Sequence, residues 1–287
     1  MYFSRIIFSV CLALTTCSVA AIELTDSLHS LVLDAKQVLT LDNTADFAPT
    51  AVSDVETERL GPNSIAVYAP ENAGFYSLVL SNNKTSKRLL VIVKKPFNAN
   101  NKQLNNYQIG LYPAPYKGYT QYSAPNGFIE IFEKDLSRQL TPHVQVKNVI
   151  CKQLSGFPKY LYVNNDGLMM LEDLLRFVQN EGIKVSKFAF ISGYRTPHYN
   201  RSIGNGKHSR HQYGDAFDLY IDEDGDGRMD DLDGDGKLTV ADVDVLYKVF
   251  EKFQKQSRYN GGIGRYKPAS HHGGFVHIDN RGFTARW

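Results

Sequence analysis

The sequence predicts an α+β fold, in which strand-like and helix-like segments are mixed without a regular βαβ rhythm. Two observations support this prediction. Residues 22–97 contain short stretches of β-branched and aromatic residues separated by turns. Residues 107–287 contain similar stretches together with longer segments whose apolar residues recur at helical spacing. Hydrophobic residues make up 43% and charged residues 22% of the chain, which favours globular cores and excludes a wholly disordered protein.

Residues 1–21 have the pattern of an export signal. Arg5 supplies a charged start, an apolar stretch follows it, and small residues at 18–21 suit a cleavage site. The apolar stretch is shorter than the ~20 residues of a membrane-spanning helix, and no later segment approaches that length. We therefore expect a soluble mature chain that is periplasmic or secreted. An alternative is lipid attachment at Cys17, because the residues before it faintly resemble a lipoprotein processing site.

Residues 22–97 predict a small β-sandwich domain. Short strands separated by turns at this spacing are typical of sandwiches, and this region resembles bacterial immunoglobulin-like modules. The clearest strands are expected at 64–68, 74–80 and 88–93. Residues 98–106 are rich in Asn and are predicted to form a linker to the next domain.

Residues 107–287 predict a second domain, of α+β type. Helices are expected at 167–179 and 240–254, and strands at 187–191, 216–221 and 274–279. Cys151 is the one cysteine that remains after removal of the signal, so no internal disulfide is expected. We expect its thiol to be buried and inert.

Three residues of this second domain form a candidate metal site. His211 and Asp218 lie seven residues apart on either side of Gly214, which permits a tight bend between them. Asp218 falls in a predicted strand, and His277 falls in another strand of alternating pattern. Two imidazoles and one carboxylate, with one position left open, are a typical catalytic zinc set.

These motifs resemble the peptidase M15 family, which includes D-Ala-D-Ala carboxypeptidases and is similar in fold to hedgehog-type domains. The pattern S-x-H-x-x-G-x-A-x-D runs from Ser209 to Asp218, and a preceding S-G-Y-R block ends at Arg195. The last block, which contains His277, is most similar to the DUF882 (YcbK-like) branch. The resemblance covers about residues 155–287 and implies a hedgehog/D-Ala-D-Ala-peptidase-like zinc domain.

The resemblance also implies a role for each matched residue. His211, Asp218 and His277 would be the ligands of one catalytic zinc ion. Arg195 would bind the substrate carbonyl and stabilise its developing negative charge, a role that suits a permanently charged guanidinium. Ser209 would help to hold the substrate.

One departure from the family pattern concerns the general base. Many M15 members have an acidic residue three positions before the last zinc histidine, where this chain has Gly274. His271 and His272 are the best replacements, because imidazole titrates near neutral pH. Asp279 is a third candidate, although it could instead orient a ligand.

An aspartate-rich insert, residues 222–244, separates the second and third predicted zinc ligands. Ten acidic residues stand here against Arg228 and Lys237. Two overlapping windows have the spacing of an EF-hand loop and resemble the calcium loops of dockerin and thrombospondin type 3 repeats. The candidate ligands of one or two structural calcium ions are Asp222, Asp224, Asp226, Asp230, Asp231, Asp233, Asp235, Lys237, Thr239 and Asp242. The two loops would share a carboxylate, or only the second would be filled; a disordered acidic loop is the alternative.

We therefore expect a monomeric zinc metallopeptidase that cleaves D-amino-acid bonds in peptidoglycan stem peptides, as a D-Ala-D-Ala carboxypeptidase does. Three alternatives are an endopeptidase that cuts cross-links, a zinc-containing cell-wall binding module without turnover, and a calcium-dependent adhesion protein. The last leaves the three motif blocks unexplained. No basic–aromatic pattern, phosphate loop or Gly-x-Ser-x-Gly elbow is present, which argues against nucleic-acid partners and against nucleotide or serine-hydrolase chemistry.

Overall fold

The computed structural model describes residues 20–50, 52–270 and 272–287. Within these ranges the chain is a mixed α+β structure of several small sheets and a few helices, as the sequence predicts. The predicted export signal lies almost entirely outside the described residues. No described helix is long and apolar enough to cross a bilayer.

The strands are short. They are β1 (Ala20–Glu23), β2 (Ser30–Leu33), β3 (Val38–Asp42), β4 (Ala48–Pro49), β5 (Glu56–Gly61), β6 (Ser64–Tyr68), β7 (Gly74–Ser81), β8 (Ser86–Val93), β9 (Lys95–Pro96), β10 (Gln103–Leu104), β11 (Tyr107–Gln108), β12 (Gly127–Ile131), β13 (Gln139–Thr141), β14 (Val144–Gln145), β15 (Lys159–Leu161), β16 (Ala189–Ser192), β17 (Ala216–Tyr220), β18 (Gly262–Tyr266), β19 (Phe275–Asp279) and β20 (Ala285–Arg286). The α-helices are α1 (Val146–Val149), α2 (Asn165–Asn180), α3 (Pro197–Ser202) and α4 (Val240–Gln256). Single 3-10 turns occur at Tyr116–Gly118, Thr120–Tyr122, Glu133–Asp135 and Arg210–Tyr213.

The first eight strands form two four-stranded sheets, in the orders β1-β3-β6-β5 and β2-β8-β7-β4. Leu31, Ile65, Leu78 and Val91 are fully buried, and each lies in a run of consecutive buried residues in its strand. The strands expected at 64–68, 74–80 and 88–93 are present as β6, β7 and β8. The boundary between two domains and the linker at 98–106 remain predictions.

The later half of the chain is organised around a five-stranded sheet of order β16-β17-β19-β18-β20. Its pairs are antiparallel except for β18 with β20. Helix α4 packs on β18 and β19 and also contacts α2, where Phe177 and Phe253 meet edge to face at 5.5 Å. The strands predicted at 216–221 and 274–279 are therefore the two central neighbours β17 and β19.

Helices α2 and α4 both begin at capped ends. The side chain of Asn164 accepts a hydrogen bond of 2.8 Å from the amide of Gly167, and Thr239 forms a reciprocal capping box with Asp242. Beyond α2 the chain reverses at Gly182, whose φ of +85° suits glycine. Helix α2 exceeds the predicted 167–179 at both ends, whereas α4 begins at the predicted residue 240 and ends two residues beyond 254.

Helix α2 also contacts the first group of strands. The side chain of Asn165 accepts a hydrogen bond of 2.7 Å from the amide of Val32, and Ser27 donates one to Asp173. Apolar packing continues from these strands through α2 to α4 as one buried cluster. Cys151 is part of this cluster and is buried as a free thiol, as predicted.

Candidate metal centre

The pairing of two strands places two of the predicted ligands side by side. Asp218 on β17 lies directly opposite His277 on β19. His211 comes from the 3-10 turn Arg210–Tyr213, and Gly214, with φ of +79°, turns the chain from there into β17. A Cβ atom on Gly214 would also lie 2.9 Å from the side chain of Tyr162. Both the positive φ and the lack of space therefore favour glycine at this bend. One ligand atom from each of His211, Asp218 and His277 lies within 4.8 Å of the others.

Each imidazole is oriented by a partner on its outer side. His211 Nδ1 lies 2.7 Å from the carbonyl oxygen of Gly193 and must donate, because that oxygen can only accept. His211 Nε2 then faces Asp218 Oδ1 at 3.2 Å. His277 Nε2 is 2.9 Å from Asp279 Oδ2, and His277 Nδ1 is 2.9 Å from Asp218 Oδ1. The two ring nitrogens that remain therefore converge on one carboxylate oxygen.

Burial and charge set the protonation states of this group. Burial raises the pKa of Asp218, but the adjacent His211 and His277 outweigh burial and hold that pKa well below its usual range. Burial lowers the pKa of His211 and favours its neutral form. Burial would also lower the pKa of His277, but its hydrogen bonds to Asp218 and Asp279 prevail and raise the pKa to about 9. The surroundings of Asp218 therefore favour positive charge beside its carboxylate.

These residues fit a divalent metal ion. The donor set of two imidazoles and one ionised carboxylate is that of open zinc sites. All three side chains are at least 95% buried, which keeps water from competing for their lone pairs. They face a cavity of about 750 Å³ that has room for a substrate group. The outer partners, Gly193 and Asp279, are the kind that fix ligand orientation in metal sites.

Arg195 lies against the ligand group rather than apart from it. Its Nη2 donates to Asp218 Oδ2 at 2.6 Å, and its Nε donates to Ser192 Oγ at 2.8 Å. The side chain is 13% exposed and lines the cavity. Ser209 lines the same cavity at the start of the 3-10 turn that carries His211. The structure therefore brings both predicted substrate-binding residues to the metal-binding group.

The three candidate bases occupy different places. His272 lines the cavity, and its Nδ1 donates to the carbonyl oxygen of Gly273 at 2.7 Å. His271 lies outside the described residues. Asp279 is fully buried and is shared among His277, Arg281 and the amide of Gly262. Asp279 thus serves to orient His277 and does not face substrate.

Packing explains the glycine that replaces the acidic residue of the family pattern. A Cβ atom on Gly274 would lie 2.5 Å from Cγ2 of Val243, a buried residue of α4. Helix α4 therefore occupies the space that a side chain at position 274 would need.

Several cavity-lining residues fall outside the predicted set of site residues. Among them are Lys152, which follows Cys151 in an irregular segment, and His208, Tyr266, Arg281 and Trp287. His208 lines the cavity, and its Nδ1 is buried without a hydrogen-bond partner among the described residues. His198 lies in α3, where Thr196 caps the helix and Pro197 occupies its first turn.

The acidic insert forms two groups of convergent carboxylates that share no residue. Asp222, Asp224 and Asp230 form the first, and Asp231, Asp233 and Asp242 form the second. In each loop the glycine amide at position six donates to the carboxylate at position one, from Gly227 to Asp222 at 3.2 Å and from Gly236 to Asp231 at 2.7 Å. Asp226 and Asp235 instead accept from the amides of Arg228 and Lys237, and Thr239 caps α4. Asp233, the twelfth residue of the first window, thus belongs to the second group of carboxylates and not to the first.

Replacement of Asp279 by Asn should weaken metal binding without removing a ligand. Asn cannot offer two anionic oxygens to His277 and Arg281, so the ring of His277 loses its fixed tautomer. Loss of such an outer partner typically lowers metal affinity by about 10–100-fold. Competition with a chromophoric chelator would measure this, with the exposed Asp166→Asn as the matched control. Unchanged zinc affinity in Asp279→Asn would contradict the role assigned to Asp279.

Comparison with known families supports the same assignment. Residues 167–232 match the family model described as Peptidase M15. The matched segment includes α2, β16, Arg195, His211 and Asp218, and it ends before β19. No curated protein and no solved structure gave a significant match. The matched segment covers less than half of the chain. It is similar to M15 peptidases and contains His211 and Asp218, two of the three residues of the buried group.

Proposed function

We propose that the chain is a zinc carboxypeptidase that removes the terminal D-amino acid from peptidoglycan stem peptides. One observation carries the proposal: two imidazoles and a carboxylate, all buried, converge beside a cavity large enough for a peptide end. When bound by these residues, zinc would supply a Lewis acid that activates water and polarises a peptide carbonyl. The M15 match supports the peptidase class, and the finer specificity is our inference from the cavity.

Arg195 is proposed to stabilise the negative charge that develops on the substrate carbonyl oxygen. Its contacts with Asp218 and Ser192 fix the guanidinium on the cavity wall before substrate arrives. A preorganised cation of this kind favours the transition state without reorganisation cost. Asp218 thereby links the metal group to the carbonyl-binding group.

His272 is proposed as the residue that accepts the proton of the attacking water. Of the candidate bases that the structure describes, His272 lines the cavity and Asp279 does not. Because Nδ1 donates to Gly273, the neutral ring has the tautomer in which Nε2 is the basic nitrogen. A neutral imidazole can accept a proton from water through this nitrogen, which suits general-base catalysis.

The catalytic proposal is tested by mass spectrometry of muropeptides incubated with the purified, zinc-loaded chain. Loss of one D-Ala from pentapeptides is the expected result, and it should disappear in His211→Ala and after zinc chelation. His198→Ala, a histidine variant in α3 that does not line the cavity, should retain activity. A split cross-link would show an endopeptidase instead. Bound zinc without any product would contradict catalysis and favour the cell-wall binding module.

Lys152 is proposed to bind the free carboxylate of the stem peptide. Four described Lys or Arg residues line the cavity, and three of them are paired with buried carboxylates: Arg195 with Asp218, Arg210 with Asp215, and Arg281 with Asp279. Lys152 makes no ion pair with any described residue and is exposed. Lys152 is therefore the cavity cation that is available to bind the C-terminal carboxylate of the substrate. A carboxypeptidase must recognise this carboxylate, whereas an endopeptidase need not.

Replacement of Lys152 by Met should raise KM roughly tenfold for a peptide with a free C-terminal carboxylate, because a charge-assisted hydrogen bond is lost. The same variant should leave the C-terminally amidated peptide unaffected. Lys152→Arg should restore most of the affinity, and Lys147→Met, an exposed lysine outside the cavity, serves as the control. Equal KM changes for both peptides would rule out carboxylate recognition by Lys152.

Export and calcium binding complete the proposal. The N-terminal sequence supports delivery to the compartment that contains peptidoglycan. The EF-hand-like spacing and the two convergent carboxylate groups support one calcium ion in each loop of the insert. Without cations, so many adjacent negative charges would repel one another. We assign these ions a structural role in fastening the insert beside β17.

Calcium should therefore raise the unfolding temperature of the chain. At 100 times the dissociation constant, binding of one ion stabilises the folded state by about 2.7 kcal/mol. Asp231→Asn should reduce the shift, since Asp231 stands at the first position of the second loop, whereas the exposed Asp46→Asn should not. Differential scanning calorimetry with and without calcium measures the effect. Absence of any shift in the unaltered chain would argue for an acidic loop without bound calcium.

A further inference from the structure

Trp287 makes an unusual set of contacts beside the candidate metal centre. Its ring centroid lies 5.1 Å from that of His277, and the guanidinium of Arg281 lies 5.2 Å from the indole centroid in a cation–π contact. The indole Nε1 donates to the hydroxyl of Tyr266 at 2.7 Å. The backbone of Trp287 pairs with Arg265 and Ile263 of β18. The indole is thus held by ring contacts, a side-chain hydrogen bond and main-chain bonds together.

Two glycines of β18 make room for this ring. A Cβ atom on Gly264 would collide with Nε1 and Cε2 of the indole, and one on Gly262 would lie 2.9 Å from its Cη2 atom. Neither glycine has a positive φ, so backbone conformation does not require glycine at these positions. Their missing side chains form the slot in which the indole lies. Gly264 is also the residue directly opposite His277 on β19, so the slot lies beside that ligand.

The ring of His277 has two other kinds of contact, hydrogen bonds at its two nitrogens and an edge-to-face contact with the ring of His211 at 4.9 Å between centroids. Asp218 and Asp279 bind its two nitrogens, and neither contact restricts the faces of the ring. The indole supplies a further contact to the ring itself, tilted at 45° to it. Trp287 is nevertheless 47% exposed and lines the cavity, so part of the indole remains open to a substrate.

We propose that Trp287 is a positioning residue that fixes His277 for metal binding and forms an aromatic wall of the cavity. The inference rests on the proposed metal site, although not on the identity of the substrate. It predicts that any change that displaces the indole weakens metal affinity, even when all three ligands remain. An outer partner of this kind contributes about 10–100-fold to affinity.

The chain contains a single tryptophan, so its fluorescence reports on this position alone. Titration of the full chain with Co²⁺, in the presence of excess calcium to occupy the insert, should quench the emission saturably. His211→Ala should lose the saturable step. Absence of that step in the unaltered chain would overturn both the proposed metal site and this inference.

Three variants then isolate the role of the indole, with zinc affinity measured by chelator competition and site geometry by the visible spectrum of the Co²⁺ form. Trp287→Ala should lose at least tenfold in affinity and show an altered spectrum. Gly264→Ala should have the same effect, because its methyl group displaces the indole. Trp287→Phe should lose less, since it keeps a ring against His277. Gly156→Ala, with nothing within 4 Å of its Cβ and no positive φ, is the matched control.

Unchanged affinity and spectrum in both Trp287→Ala and Gly264→Ala would overturn the positioning role while leaving the metal site intact. Equal losses in Trp287→Phe and Trp287→Ala would point to the hydrogen bond with Tyr266 rather than to ring packing, and would also contradict the inference.

Discussion

The rest of the site depends on the cross-strand pair of Asp218 and His277. The register of the sheet extends this pair into a row of four residues, Ser192, Asp218, His277 and Gly264, on four adjacent strands. Ser192 accepts a hydrogen bond from Arg195, the central pair supplies two of the candidate metal ligands, and Gly264 leaves space for the indole, so the members of the row have different roles. Because side chains alternate between the two faces of a strand, a slip of one residue would turn a ligand away from the cavity. Strand pairing is therefore as necessary to the chemistry as the ligands themselves.

Burial of so many charges is tolerated because each carboxylate has an assigned cation. Arg195 pairs with Asp218, Arg281 with Asp279, and Arg210 with Asp215, and none of the three carboxylates is more than 5% exposed. A buried ion pair is weak evidence of stability, but removal of one partner leaves an uncompensated charge and is costly. These three ion pairs therefore limit the positions at which the site can bind a further cation. Among the described residues, two imidazole nitrogens and a carboxylate oxygen converge at the position assigned to the metal.

Local sequence signals predict much of this arrangement. The strands β6, β7, β8, β17 and β19 and the helices α2 and α4 follow from short-range periodicity, and the metal ligands follow from motifs a few residues long. Lys152 and Trp287 could not be assigned roles, because their positions depend on contacts between segments far apart in the chain. The same holds for Gly262 and Gly264, which resemble ordinary strand residues until the indole beside them is seen. The roles of these four residues depend on contacts between distant segments of the chain. A single sequence does not show which segments are in contact.

The acidic insert accounts for the departure from the family pattern. It leads directly into α4, whose Val243 fills the space next to Gly274. A Cβ atom on Gly273 would lie 3.7 Å from Cα of Arg228 and 3.8 Å from the backbone nitrogen of Met229. A cavity of about 370 Å³ joins the insert to the segment that carries His272, with Thr239 and Asp242 on one side and Pro268 and Ser270 on the other. A side chain at position 274 would collide with the Val243 side chain, so an acidic residue there would disturb the packing of α4. The insert therefore excludes the usual base and supports the segment that presents His272, which makes the loss of the acid and the placement of the imidazole consequences of one packing arrangement.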